Sequence, residues 1–182
     1  TGMRGNVYVV DKSKKRLEEL HKLFGDKIIP TQSDKVDLNK LISECDLLIG
    51  GVLIPGAEAP KLVTKEMIRS MKRGSVIVDV AIDQGGCVET SKPTTHANPT
   101  YLVDEVVHYC VANMPGGVPR TSTIALNKAT LPLLIKLADQ GYKKTLQENK
   151  NYLAGLNVYR GYITYKGVSD ALNLKYSSPS KL

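Results

Sequence analysis

Gly5-Asn6-Val7-Tyr8-Val9-Val10-Asp11 carries the strongest structural signal in the chain. Its apolar run ends in an acid and leads directly into a segment with Leu17, Leu20 and Leu23, which predicts a buried β-strand followed by an amphipathic helix. In a doubly wound nucleotide-binding fold this is the pattern of the second strand, whose terminal acid hydrogen-bonds the adenosine ribose. The first strand and its Gly-rich turn belong about 20 residues earlier and do not occur in this chain. We therefore expect a fragment, or one chain of a split protein.

Strand and helix patterns alternate through the first half of the chain. Continuous apolar runs at 46–52, 75–80 and 106–111, with a shorter one at 27–30, predict strands that are covered on both faces. Such strands are typical of a parallel sheet with helical crossovers. The expected fold class is therefore α/β: a Rossmann-type doubly wound parallel sheet that lacks its first strand and Gly-rich turn.

The pattern changes near Pro119, where we place a domain boundary. Residues 1–119 are expected to form a partial NAD-binding Rossmann domain, and residues 120–182 a C-terminal helical part of a second, substrate-binding domain. A long helix is predicted over 121–141 with a kink at Pro132, followed by a Tyr-rich hairpin over 158–165 and a polar tail over 177–182.

Composition excludes several classes of protein. The net charge of +7 is spread over scattered lysines, and one Phe without any Trp argues against a nucleic-acid-binding surface. No apolar run approaches the roughly 20 residues that cross a bilayer, so we expect a cytoplasmic protein without a membrane partner. Three cysteines with no CxxC or Cys/His spacing predict reduced thiols and no metal site.

Asp11 is the first candidate site residue. A carboxylate at this strand end can accept hydrogen bonds from both ribose hydroxyls and repels a 2′-phosphate, which favours NAD over NADP. The alternative is a turn residue that caps the following helix. Basic residues at 12–16 leave the choice of coenzyme open, because lysine or arginine there can hold a phosphate.

Two glycine-containing loops follow predicted strands. In residues 50–56, Gly50 and Gly51 would let a flat ring or a ribose approach the backbone, with a plain strand-to-loop transition as the alternative. In residues 79–87, Asp83 is expected at the carboxyl end of its strand, where it can face a cofactor and a substrate together; a turn-stabilising role is the alternative. Asp79 lies within the strand and is expected to be structural.

A third loop, residues 110–119, offers Asn113 as donor and acceptor and Met114 as a soft apolar surface. A generic loop is the alternative. The three histidines, His21, His96 and His108, are expected to be structural or exposed on the surface, because none lies at a strand end in a glycine-rich loop.

Taken together, several motifs resemble the alanine dehydrogenase family. They are Val78-Asp79-Val80-Ala81-Ile82-Asp83-Gln84-Gly85-Gly86-Cys87, Tyr109-Cys110-Val111-Ala112-Asn113-Met114-Pro115, Thr121-Ser122-Thr123, Lys92-Pro93-Thr94-Thr95 and Leu137-Ala138-Asp139. The resemblance covers essentially the whole chain. The related NAD(H)-binding component of proton-translocating transhydrogenase usually carries Glu-Ala-Gly-Gly-Asn and Asn-Leu-Pro in the corresponding loops, so this chain is more similar to the dehydrogenase.

The resemblance implies reversible, NAD-dependent oxidative deamination of L-alanine to pyruvate and ammonium. It implies that Asp11 holds the adenosine ribose, that Ser33 lies near the adenine, and that Asp83 stands beside the nicotinamide and the reacting carbon as the catalytic residue. The other cofactor-binding residues implied are Val52, Leu53 and Val80 along the dinucleotide cleft, with Asn113 and Met114 at the nicotinamide.

The family's substrate-clamping arginine and lysine and its acid–base histidine lie in an N-terminal half that this chain lacks. We therefore expect that the chain is neither active nor stably folded alone, that the N-terminal half of the enzyme is its partner, and that the assembly is a hexamer acting in amino-acid catabolism. The alternatives are the transhydrogenase component and a non-catalytic NAD-binding or assembly module.

Overall fold

A computed structural model describes residues 1–55 and 57–179. Gly56 of the first glycine loop and residues 180–182 of the predicted polar tail lie outside the described residues. The strands are β1 (Tyr8–Asp11), β2 (Ile29–Gln32), β3 (Leu47–Gly50), β4 (Val76–Asp79), β5 (Thr100–Val103), β6 (Val106–Tyr109), β7 (Val158–Tyr159) and β8 (Tyr162–Ile163). The helices are α1 (Lys14–Phe24), α2 (Leu38–Glu44), α3 (Lys65–Ser70), α4 (Pro119–Gln140), α5 (Tyr142–Glu148), α6 (Lys150–Ala154) and α7 (Lys166–Leu172).

The first three helices begin at side-chain caps. Ser13, Asp37 and Thr64 each accept a hydrogen bond from the backbone N–H three residues later. Such caps satisfy amide groups that the first turn of a helix leaves without a partner.

The strands form a mixed α/β structure in which parallel pairing dominates, as predicted. β1 pairs with β2 in parallel, and a second sheet has the order β3-β4-β6-β5 with β3, β4 and β6 parallel. Within the described residues β1 and β3 each have one strand partner, so the two sheets are separate and each has a free edge on that side.

β5 is a strand that none of the continuous apolar runs predicts. It runs antiparallel to β6 and is joined to it by Asp104 and Glu105, which both have positive φ, at 48° and 64°. Two positive φ angles are the geometry of a tight type I′ hairpin turn. This turn usually carries Asn-Gly or Asp-Gly, and Asp-Glu gives no such signal.

The main hydrophobic core lies between the β3-β4-β6-β5 sheet and helices α2 and α3. Its fully buried members include Ile68, Ile77, Val88 and Val106. Strand β4 lies inside this sheet, and its carboxyl end therefore has a fixed position relative to that of β6, its parallel neighbour.

The C-terminal region is helical, with the predicted hairpin present as β7 and β8. α4 continues as one helix through Pro132 and buries none of its side chains. It starts at Pro119, at the predicted domain boundary, and the division into two domains itself stays a prediction. None of the helices in the described part of the chain has the length and hydrophobicity required to span a membrane.

Candidate active site

Asp79 at the end of β4 organises the following loop. Its carboxylate is fully buried and accepts hydrogen bonds from the backbone N–H groups of Ala81 (3.1 Å), Cys87 (2.9 Å) and Val88 (3.2 Å). Three amide donors compensate the burial of a carboxylate. Asp79 is thus a structural residue, in agreement with the sequence analysis, and it folds residues 80–88 back over the end of the strand.

The turn after Asp83 is fixed by two glycines and a lysine. Gly85 and Gly86 have φ angles of 89° and 76°, and a Cβ on Gly86 would lie 2.7 Å from Asp79 Oδ2. Lys61 Nζ donates to the carbonyl oxygens of Gly85 and Gly86, the latter at 2.8 Å. Asp83 therefore sits, exposed, immediately before a turn whose backbone is held from two sides.

Asp83 and Asn113 are brought together at the ends of β4 and β6. The backbone N–H of Asn113 donates to Asp83 Oδ1 at 3.1 Å. Within the described residues the second oxygen of Asp83 accepts no hydrogen bond, so it points an available acceptor toward this edge of the sheet. Met114 follows Asn113 and is half-buried in a 3-10 turn (Met114–Gly117).

His96 is a member of this cluster that the sequence analysis placed among structural or surface residues. Its Nε2 lies 3.0 Å from the carbonyl oxygen of Asn113. Two backbone hydrogen bonds bring its loop there, from Thr94 N–H to Cys110 O (2.9 Å) and from Ala112 N–H to Thr94 O (3.1 Å). This long-range pairing leaves no local sequence signal; the glycine pair at 116–117, against which the ring lies, is the only hint in the sequence.

The buried histidine, His108, has a structural role. Its Nδ1 lies 3.0 Å from Val106 O and its Nε2 lies 2.8 Å from Thr90 Oγ1. Burial lowers its pKa, so the ring is neutral, with Nδ1–H as donor and Nε2 as acceptor. This histidine connects β6 to the loop that follows Cys87.

Asp11 and Ser33 meet at the carboxyl ends of β1 and β2. The Ser33 N–H donates to the Asp11 carbonyl oxygen at 3.1 Å. Asp11 Oδ1 accepts from Ser13 N–H at 2.7 Å, which gives it the turn-stabilising contact that the alternative interpretation predicts. Its other oxygen has no partner among the described residues, so the turn contact and ribose binding are compatible.

The candidate cleft residues differ in exposure. Leu53 and Val80 are 68% and 49% exposed, whereas Val52 is half-buried against the main core. Gly50 is tightly packed, because a Cβ there would collide with Cys87 Sγ, but a Cβ on Gly51 would meet nothing within 4 Å. Apolar side chains and an unobstructed glycine thus lie together past β3 and β4, in an open surface rather than an enclosed pocket.

The chemistry of these residues is compatible with a dinucleotide. The acceptor at the end of β1 could receive a ribose, the apolar surface past β3 and β4 could receive a ring, and the carboxylate in the loop after β4 could receive a reacting group. No group of three or more His, Cys, Asp or Glu side chains within residues 1–55 and 57–179 is arranged to hold a metal ion.

Comparison with known proteins identifies the family. A sequence model described as "Alanine dehydrogenase/PNT, C-terminal domain" matches residues 1–166. The chain belongs to this family. The resemblance drawn from the motifs is thereby confirmed.

Alanine dehydrogenases are among the family members most similar to the chain. That of Halomonas elongata is 54% identical over 181 residues, which are 100% of this chain and 49% of that protein. Alanine dehydrogenase 2 of Staphylococcus aureus (strain USA300) is 51% identical over 178 residues, 97% of this chain and 48% of that protein. The chain thus spans about half the length of the curated relatives it matches.

Two solved structures, one of a dehydrogenase and one of a transhydrogenase, resemble the chain to different degrees. An L-alanine dehydrogenase superposes with a TM-score of 0.80 at 46% identity, covering 94% of this chain and 47% of the other. The transhydrogenase from Sinorhizobium meliloti gives a TM-score of 0.60 at 29% identity, covering 72% of this chain and 37% of the other. The dehydrogenase is the more similar of the two in both sequence and structure.

Proposed function

We propose that this chain is the NAD-binding and C-terminal part of an alanine dehydrogenase. The reaction is L-alanine + NAD⁺ + H₂O → pyruvate + NH₄⁺ + NADH + H⁺, and it is reversible. The observation that carries the proposal is the Asp83 carboxylate, exposed beside Asn113 where β4 and β6 end, in a chain whose curated relatives are alanine dehydrogenases.

Asp83 is the proposed catalytic residue. One of its oxygens is held by the Asn113 amide, and the other is available to the substrate. A carboxylate there stabilises the cationic iminium formed from alanine and accepts a proton from the water that attacks it. NAD⁺, when bound, accepts the hydride from the substrate carbon.

The remaining candidate residues would bind and orient the cofactor. Asp11 would hold the adenosine ribose with its available oxygen, and Ser33 would lie near the adenine. Val52, Leu53 and Val80 would line the cleft, while Asn113 and Met114 would complete the nicotinamide side. Lys14 and Arg16 form exposed ion pairs along α1 with Glu18 (3.8 Å) and Glu19 (3.0 Å), and the preference for NAD rests on the Asp11 carboxylate, which would repel a 2′-phosphate.

We propose an N-terminal half of the enzyme as the partner of this chain. β1 and β3 each lie at a sheet edge, and Leu47 (55%) and Ile49 (62%) on β3 are exposed. Parallel strands are normally paired and covered on both faces, so these features support the insertion of one further strand between β1 and β3. Residues 120–182 would then belong to the substrate domain. A cytoplasmic hexamer in amino-acid catabolism completes the proposal.

Alanine-dependent NADH formation by the native enzyme that contains this chain tests the function. Asp83→Asn is expected to lower kcat by about 10²- to 10⁴-fold, whereas Asp26→Asn, an exposed carboxylate in the turn after α1, should leave it unchanged. Hydride exchange between two nicotinamides without any use of alanine would instead indicate a transhydrogenase component. NAD binding without either reaction would indicate a non-catalytic module.

A further inference from the structure

Asn113 has a backbone conformation that needs support from its surroundings. Its φ and ψ angles are 56° and 53°, in the left-handed region. Asn adopts this region more readily than other non-glycine residues, yet it remains costly. Such conformations persist only where neighbouring groups hold them, and they are concentrated at functional sites.

Two side chains from different loops hold Asn113 through its backbone. Asp83 Oδ1 accepts its N–H at 3.1 Å, and the His96 ring lies 3.0 Å from its carbonyl oxygen. Because a carbonyl oxygen only accepts, His96 Nε2 must carry the proton and donate it. The residue is therefore held at both its N–H and its C=O group.

The two glycines that follow give the His96 ring the room to reach this carbonyl. A Cβ on Gly116 would lie 3.3 Å from His96 Nε2, and one on Gly117 would lie 3.3 Å from His96 Cε1. Both distances are shorter than ordinary van der Waals contact between carbon atoms. A Cβ at either position would require the exposed His96 ring to shift by a few tenths of an ångström, so glycine at both positions lets the ring reach the carbonyl unhindered.

We infer that His96 is a positioning residue that fixes Asn113, and through it one oxygen of Asp83, on the nicotinamide side of the site. This inference rests on the proposed function and deepens it. In this role His96 acts on the site through the backbone of Asn113. His96 holds the peptide that follows Asn113 and Asp83 holds the peptide that precedes it, so the two contacts together fix the φ and ψ angles of Asn113.

Ligand binding to the native enzyme separates this role from a general structural one. NAD⁺ and ADP-ribose share everything except the nicotinamide, so a defect confined to the nicotinamide side weakens only NAD⁺. His96→Ala is expected to raise the Kd of NAD⁺ about 2- to 10-fold, the effect of one hydrogen bond, and to leave the Kd of ADP-ribose unchanged. His96→Gln keeps an amide N–H donor and should restore NAD⁺ affinity. His21→Ala, at an exposed histidine in the last turn of α1, is the matched control and should change neither Kd.

Three other outcomes of the His96 measurements would overturn the inference. Unchanged NAD⁺ affinity in His96→Ala, an equal loss for both ligands, or a His96→Gln variant as weak as His96→Ala would show that His96 does not position the nicotinamide side. An unsubstituted enzyme that binds neither ligand would instead overturn the proposed function, and with it the site on which His96 acts. The two failures are therefore distinguishable.

Discussion

Gly50 and Gly51 are neighbours in the chain with opposite surroundings, and this difference gives a sharp prediction. A Cβ on Gly50 would overlap Cys87 Sγ and lie 3.3 Å from Asp79 Oδ1, whereas a Cβ on Gly51 would meet nothing within 4 Å. We expect Gly50→Ala to destabilise the protein and Gly51→Ala to leave its stability unchanged.

The magnitude follows from how little the atoms around Gly50 can move. Cys87 is buried, and its backbone N–H is fixed to Asp79 Oδ2 at 2.9 Å. Adding one carbon to a packed site of this kind costs about 1–3 kcal/mol in the free energy of unfolding. Because Asp79 also holds two other amides, we expect the upper part of that range.

Denaturant titration of the native enzyme measures the effect, and a double-mutant cycle assigns its cause. Removing the sulfur with Cys87→Ala should relieve the overlap, so Gly50→Ala should cost about 1 kcal/mol less in that background than in the unsubstituted protein. Equal costs in both backgrounds, or equal stabilities of the Gly50→Ala and Gly51→Ala variants, would refute the packing argument. NAD⁺ affinity adds a second readout: Gly51→Ala should weaken it if a ligand approaches this backbone.

Two further predictions concern the same loop. Burial and the neighbouring Asp79 carboxylate raise the pKa of the Cys87 thiol from 9.0 to about 11. The thiol is thus neutral in the folded state, and its contribution to stability is complete below pH 9 and lost as the pH rises toward 11. Denaturant titrations between pH 8 and 11 should therefore show a smaller decline in the free energy of unfolding for Cys87→Ala than for the unsubstituted protein. Identical declines in the two proteins would contradict the pKa shift. Lys61→Met removes the donor to the Gly85 and Gly86 carbonyls but keeps the apolar stem. It should lower kcat with little change in melting temperature, and the exposed Lys35→Met is its control; a loss of activity in both variants, or in neither, would contradict a role for Lys61 in holding the turn.

The parts of the fold that the sequence predicts are those with a local signal. Continuous apolar runs correctly locate β1, β3, β4 and β6, but the expectation that these strands are covered on both faces fails for β3, where Leu47 and Ile49 are exposed. β5 was missed, since its turn uses Asp104 and Glu105 in a conformation that usually requires Asn or Gly. His96 is exposed, which agrees with the expectation of a structural or surface residue, but its place beside Asn113 depends on backbone pairing of Thr94 with residues 16 to 18 positions away, which no local pattern reveals.

Asp79 and Asp83 show why position within a strand predicts the role of a carboxylate. Asp79 is the last residue of β4 and is fully buried, and three backbone amides and the Cys87 thiol donate hydrogen bonds to its carboxylate. Four residues later the chain has left the sheet, and Asp83 receives a single amide from the neighbouring strand's loop. Three amides and the Cys87 thiol occupy the four acceptor sites of the buried Asp79 carboxylate, whereas Asp83, with a single donor and an exposed second oxygen, can still accept from a ligand. Asp79, at the last position of the strand, therefore stabilises the fold, whereas Asp83, four residues beyond the strand, is available to a ligand.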